Sequence, residues 1–294
     1  MKTKELNIML KSKALRVFLM IIPVMMLNSC SLFEPASPEA GFLKIDSIQL
    51  SSDPATQGGS SYKITDAWVF VDQQYIGTFP LPAKVPVIAG SSHEIIVNAG
   101  VIENGISATR VAYPKFQAYT TNVTTEPGVT TPLSPVVSYN TATVFAQIED
   151  FDDGTISFAN TSNGHAPLTL IYSGDPDALE ENSGKATMDA INTVFEVAST
   201  NLMTLPLSAP VYLEVNYKSD VDLVVGDFIS TASAVNQNPM ITLRSTNTWK
   251  KVYINMSDLG GIWTDGLGYK IYFHAEKGSY TSANVYLDNI KVVY

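Results

Sequence analysis

The chain has 294 residues, 45% of them apolar and only 16% charged, with a net charge of −10. That balance excludes nucleic acid and anionic lipid surfaces as partners, because both require a basic face. Val, Thr, Ser, Asn and Tyr are plentiful, Ala/Leu/Glu/Lys runs are rare, and the composition predicts strands rather than helices.

The first segment differs from everything after it. Lys2, Lys4, Lys11, Lys13 and Arg16 precede the apolar run Val17–Leu27, which ends in Asn28-Ser29-Cys30. A basic start, a short apolar stretch and small residues before a cut describe a secretory signal. Eleven apolar residues are too few for a transmembrane helix, which needs about 20. Cys30 is the only cysteine, so the fold can hold no internal disulfide. Leu27-Asn28-Ser29-Cys30 resembles the lipobox of bacterial lipoproteins. The resemblance implies removal of residues 1–29 and lipid on Cys30, anchoring the protein in the outer membrane, facing the periplasm or the cell surface. Ser31, in place of an aspartate, does not resemble the inner-membrane retention signal. Cleavage would remove 29 of the 294 residues and a segment charge of +4, leaving 265 residues at −14. Two or more acyl chains hold a protein at a membrane stably, where one is marginal.

Residues 30–41, with two prolines and no periodicity, read as a tether. From residue 42 to 137 the pattern is one of short strands and turns. Asp66–Phe79, DAWVFVDQQYIGTF, reads as a hairpin around Asp72-Gln73-Gln74. Lys84–Ile88 and His93–Asn98, on either side of Ala89-Gly90-Ser91-Ser92, read as a second hairpin. The run VFVDQQYIGTFPLPAKVPVIAGSSHEIIV resembles small β modules of the PEGA type, which implies a spacer sandwich with no chemistry. The Thr/Pro/Gly-rich residues 124–135 read as a boundary between two domains.

A second strand series fills 144–294. Strands are expected at 144–149, 155–159, 167–172, 185–190, 193–198, 210–217, 221–227, 240–245, 249–256, 268–275 and 284–293, a spacing that predicts a sandwich or jelly roll. IEDFDDG (148–154), TWKKVYINMSDL (248–259) and NVYLDNIKVVY (284–294) resemble, in order and separation, blocks of galactose-binding-like jelly rolls, the fold of many carbohydrate-binding modules. The fold expected is thus all-β, a small N-terminal sandwich followed by a C-terminal jelly roll. The whole resembles envelope lipoproteins of the Bacteroidetes type.

Alternation along the last strand places Tyr286, Asp288, Ile290, Val292 and Tyr294 on one face and points Asp288 inward. A carboxylate so placed is hydrogen-bonded, paired or bound to a cation. The jelly-roll resemblance implies a structural Ca²⁺ held by Glu149 or Asp150 together with Asp288. The alternative is that Asp288 accepts backbone N–H bonds from a turn. The acidic cluster Glu149, Asp150, Asp152 and Asp153 does not form a glycosidase pair, since neighbours in a strand face opposite ways. His93, His165 and His274 show no metal-ligand spacing, and no catalytic motif is present. No enzyme is expected. For Trp249, at the start of a strand, the jelly-roll resemblance implies a core position. Trp263 and Tyr280, in glycine- or serine-rich loops, are the candidate glycan platform, with loop anchoring as the plainer alternative. The reading is a non-catalytic binding module for a polysaccharide or surface glycan. The alternative is a structural or assembly lipoprotein that binds another envelope protein.

Overall fold

The computed structural model describes residues 39–294. The signal segment, Cys30 and most of the tether lie outside the described residues.

The N-terminal part builds two small sheets and a two-stranded ribbon. In the first, β1 (Ala40–Ile45) takes β5 (Ala83–Ile88) antiparallel on one edge and β9 (Thr130–Leu133) parallel on the other. Next to it β2 (Gln49–Ser51) pairs with β10 (Val136–Ser138). In the second sheet β3 (Asp66–Val71), β4 (Gln74–Pro80), β6 (Ser92–Ile102), β7 (Arg110–Ala112) and β8 (Tyr119–Thr124) pair antiparallel, with β6 at the centre. A single turn of helix, α1 (Pro54–Gln57), is capped by Asp53, which accepts the Ala55 N–H at 3.1 Å. Leu43, Ile45, Val69, Val85, Ile95, Val97 and Val101 fill the space between the sheets.

The β3–β4 hairpin forms, but its loop is two residues rather than three. Asp72 and Gln73 both have positive φ, 49° and 66°, as a twist-matched two-residue turn requires. The second expected hairpin does not form. β5 pairs with β1 and β6 pairs with β3, so Ala89–Ser91 is a corner between sheets, not a hairpin loop. The apolar alternation marked both strands correctly and carried no information on their partners.

All eleven strands expected between 144 and 294 are present. One sheet runs β13 (Thr169–Ile171), β14 (Ser183–Met188), β21 (Ala283–Val293), β16 (Tyr212–Ser219), β19 (Thr246–Asn255), with β11 (Phe145–Glu149) also on β21. The other runs β12 (Phe158–Asn160), β15 (Val194–Ser199), β20 (Gly268–Glu276), β17 (Leu223–Ser230), β18 (Val235–Leu243). The chain passes repeatedly from one sheet to the other, a jelly-roll sandwich. Phe151, Phe195, Leu213, Val225, Ile254, Phe273 and Leu287 are fully buried between the sheets.

The last strand corrects the sequence-based parity. Glu214 pairs with Lys291 but Asn216 pairs with Asp288, so β21 holds an extra residue between them, at Asn289, whose φ is +46°. A bulge of this kind reverses which residues face the core. Before it Val285 and Leu287 point into the core, and after it Ile290 and Val292 do. Tyr286 and Asp288 therefore lie on the outer face, away from Ile290 and Val292.

That outer face is covered. A loop, 173–182, folds over its β14–β19 part, where Asp177 accepts from Tyr286 Oη at 2.8 Å and pairs with Lys218 at 2.6 Å. Trp249, expected in the core, lies on this side, donating its indole N–H to Asp177 O at 3.0 Å with its ring 6.2 Å from Tyr286. The N-terminal part covers the rest. Tyr113 and Tyr139 donate to Glu214 at 2.8 and 3.0 Å, and Tyr212 donates to Glu103 at 2.7 Å. Lys251 Nζ lies 3.5 Å from Glu214, and Lys291 donates to Gly59 O at 2.7 Å. Tyr113 meets Tyr212 and Tyr253 edge to face at 5.0 and 4.9 Å.

Candidate functional site

With one sheet of the C-terminal sandwich covered, the outer face of its other sheet, β12-β15-β20-β17-β18, is the face that this sandwich leaves to solvent. Alternation decides what it shows. Along β20, Tyr269, Ile271, Phe273 and Ala275 enter the core, so Lys270, Tyr272 and His274 project outward. In β17, Leu223, Val225 and Ile229 enter it, leaving Val224, Gly226 and Phe228 outside; in β15, Phe195 and Val197 leave Glu196 and Ala198.

These side chains line a trough that crosses the strands. One part, about 500 Å³, is bordered by Ala159, Ala198, Leu202, Phe228, Val235 and Lys270. An adjoining part, about 390 Å³, is bordered by Asn163, Glu196, Gln237, Pro239, Tyr272 and His274. The first is mainly apolar, and the second mixes polar side chains with Val224, Pro239 and the Tyr272 ring. Phe228 is half-buried, and its ring centroid is 5.0 Å from that of Tyr272. Tyr272 is buried as the floor. Its ring lies across β17 because residue 226 is glycine: a Cβ there would sit 2.5 Å from the ring and 2.3 Å from Asn238 O. Burial pushes the Tyr272 phenol up to about 12, so it stays protonated as a hydrogen-bonding group at neutral pH.

Glu196 organises the polar part. It is 2% exposed and accepts from Thr161 Oγ1, Asn163 Nδ2 at 3.2 Å and Gln237 Nε2 at 3.1 Å, with His274 Nδ1 at 3.0 Å. Burial raises its pKa, but the bonds from Thr161, Gln237 and Asn163, with the nearby His274, outweigh that and hold the carboxyl below its ordinary value. Glu196 is thus an ionised anchor that fixes four polar side chains. It is not a free acid or base. The trough can offer an apolar surface beside pre-positioned amide, hydroxyl and imidazole groups, a combination suited to binding a polar ligand with apolar faces.

The structure does not bring the expected platform residues together. Trp263 precedes β20 and Tyr280 follows it, and nine residues of strand span about 30 Å. Trp263 packs partly on the core and donates its indole N–H to Gly260 O at 3.0 Å, while Tyr269 Oη bonds both its N–H and its carbonyl. This is the geometry of a loop anchor. Tyr280 is exposed in a turn, outside the trough.

The carboxylates expected at a cation, Glu149 or Asp150 with Asp288, are each hydrogen-bonded within the chain. Glu149 pairs across from core-facing Ile290 and so points inward, whereas the bulge sends Asp288 to the opposite face. Glu149 accepts from the Phe151 N–H at 3.0 Å and the Ser157 N–H. Asp288 accepts from Ser183 Oγ at 2.7 Å and the Asn289 N–H at 2.6 Å, the turn-bonded arrangement. Asp150 accepts the Asp152 N–H at 3.4 Å in a separate turn. Among the described residues no three His, Cys, Asp or Glu side chains are grouped as metal ligands.

No protein-family model matches the sequence, and no curated protein sequence is similar to it. Solved structures with similar folds include a carbohydrate-binding module of the β-sandwich superfamily, described for promiscuous specificity, at 13% identity and TM-score 0.38 over 78% of this chain and 85% of that one. The family 11 carbohydrate-binding module from Clostridium thermocellum, in complex with a β-1,3-1,4-mixed-linked tetrasaccharide, has 13% identity and TM-score 0.36 over 51% of this chain and 95% of that one. A carbohydrate-binding module specific for non-crystalline cellulose has 14% identity and TM-score 0.38 over 49% and 90%. At such scores these likenesses carry no argument for function, and the fold stands on the strand pairings above.

Proposed function

We propose that this protein is a non-catalytic glycan-binding module whose site is the trough on the outer face of β12-β15-β20-β17-β18. The observation that carries the reading is the side-by-side placement of half-buried Phe228 with the fixed polar set Asn163, Glu196, Gln237 and His274. A sugar ring presents an apolar C–H face and a rim of hydroxyls, and this surface offers a counterpart to each. Glu196 is spoken for by its four partners, an arrangement that supports binding without hydrolysis. A glycan array on the fragment 31–294, followed by titration of Phe228→Ala, tests this. A true platform residue loses about tenfold in affinity, roughly 1.4 kcal/mol, with little change in melting temperature. Full affinity in Phe228→Ala, or an array without a hit, would count against the trough.

The proposal includes the lipid anchor, which is supported by the N-terminal sequence alone. Cys30→Ala should leave the protein uncut or soluble and without labelled fatty acid; unchanged membrane association would contradict it.

A further inference from the structure

The cations of the C-terminal sandwich are mostly committed. Lys185 and Lys218 face Asp177, Arg244 pairs with Asp222, and Lys251 approaches Glu214. Lys277 donates to Tyr280 O and Lys291 to Gly59 O. Two lack a partner among the described residues, the exposed Lys250 of β19 and the half-buried Lys270. Lys270 projects into the apolar part of the trough from β20, directly across from Phe228 in the strand register. Among the described residues no carboxylate lies within 4.0 Å of its ammonium and no acceptor bonds it, although it is half-buried. Of the carboxylates on this face, Glu196 is saturated by Thr161, Asn163, Gln237 and His274, and the exposed Glu276 lies at the far end of β20, 3.7 Å from His274 Nε2. The apolar part of the trough therefore presents an uncommitted positive charge and no carboxylate among its lining residues.

Cross-strand partners have Cβ atoms about 5 Å apart, close to the width of one sugar ring. A ring lying on Phe228 would bring a substituent at its edge to the Lys270 ammonium. The whole chain carries −10 and repels a dense polyanion from a distance. Screening confines the field of Lys270 to about 8 Å at physiological salt, so the attraction is local.

We propose that Lys270 is the anion subsite of the trough, and that the preferred ligand is a mainly neutral glycan bearing an isolated, singly charged sugar, next to the ring that lies on Phe228. This rests on the glycan-binding reading above and narrows it. A uronic acid carboxylate and a sugar sulfate ester share that chemistry, and the test separates them.

The probes are short oligosaccharides of xylose, glucose and galactose. Each is titrated unsubstituted, with one glucuronic acid residue, with that residue carboxyl-reduced, and with one sulfate ester. The expected result is a gain of about fivefold for a singly charged form over its neutral counterparts, the scale of one partly exposed ion pair. The gain should shrink as salt is raised from 50 to 500 mM, and polygalacturonate should bind more weakly than the singly charged probe. Lys270→Gln should erase the gain, so that charged and neutral probes bind the variant alike, with the melting temperature unchanged. A gain confined to glucuronate assigns a carboxylate, and one confined to the sulfate ester assigns a sulfate. Equal binding of charged and neutral probes, or a gain that survives Lys270→Gln, overturns the subsite while leaving the glycan reading intact. Absence of binding by every probe, and on the array, overturns both.

Discussion

The two sheets of the C-terminal sandwich share one core but have opposite outer faces. The face of β14-β21-β16-β19 carries Glu214, Lys251, Lys291 and Tyr286, all roofed by the N-terminal part or the loop 173–182. The face of β15-β20-β17-β18 carries Phe228, Lys270 and His274 under open solvent. The contrast shows how charged and aromatic residues on a strand come to mean different things. On the roofed face they are matched to partners within the chain. On the open face Phe228 packs on Tyr272 and stays half-buried, and Lys270 is left without a partner among the described residues.

The largest effect should come from breaking the roofed face. Glu214→Ala removes the acceptor of both tyrosine hydroxyls and the counter-charge of Lys251, whose own pKa burial already lowers. Orphaning a buried charge costs about 3 to 5 kcal/mol, which chemical denaturation should register. For the same reason a fragment beginning near residue 140 would expose this face and should lose stability. A loss under about 1 kcal/mol in Glu214→Ala would mean the contact is not tight.

The next effect lies in the core beneath the open face. Asp227 is wholly buried, Oδ2 has no hydrogen-bond partner among the described residues, and burial pushes its pKa up to about 7. Between its unfolded pKa, near 3.9, and about 7, the folded state holds a proton that the unfolded state has lost. Stability must then fall as pH rises through that window. Asp288, also raised to about 7, adds to the same trend. Asp227→Asn should raise the melting temperature at pH 8 and flatten, without abolishing, its decline from pH 4 to 7. A variant whose pH profile parallels that of the parent would contradict this assignment.

The contrast also explains what could be read in advance. Eleven C-terminal strands were legible because short runs of strand-forming residues recur between turn signals. Asp288 was misplaced because one bulge at Asn289 reverses the alternation, and nothing in YLDNIKVV marks the extra residue. Partner choice was illegible for β5 and β6, since alternation gives a strand's faces but not its neighbours. The trough was partly legible: in YKIYFHAE, Lys270 and His274 fix the outward register and carry Tyr272 with them. Phe228 was hidden because the outward positions beside it, Val224 and Gly226, lack a charge to mark the face. Glu196 was hidden because its four partners come from β20, β18 and the loop after β12, scattered across the sequence.

Smaller effects separate the loop aromatics from the trough. Trp263→Ala should cost about 1 to 3 kcal/mol of stability, as loss of a partly buried anchor, while the folded protein keeps full glycan affinity. Tyr280→Ser should change stability by no more than about 0.5 kcal/mol and affinity not at all. Loss of binding in both variants with stability unchanged would return the site to the loops.

The most direct measurement is mapping by nuclear magnetic resonance of the protein titrated with an array-selected oligosaccharide. Amide and side-chain shifts should move at Ala198, Gly226, Phe228, Lys270, Tyr272 and His274, and stay fixed at Trp263, Tyr280 and the roofed strand β16. Shifts confined to the loops around Trp263 or Tyr280, with the β20 residues unmoved, would contradict the account.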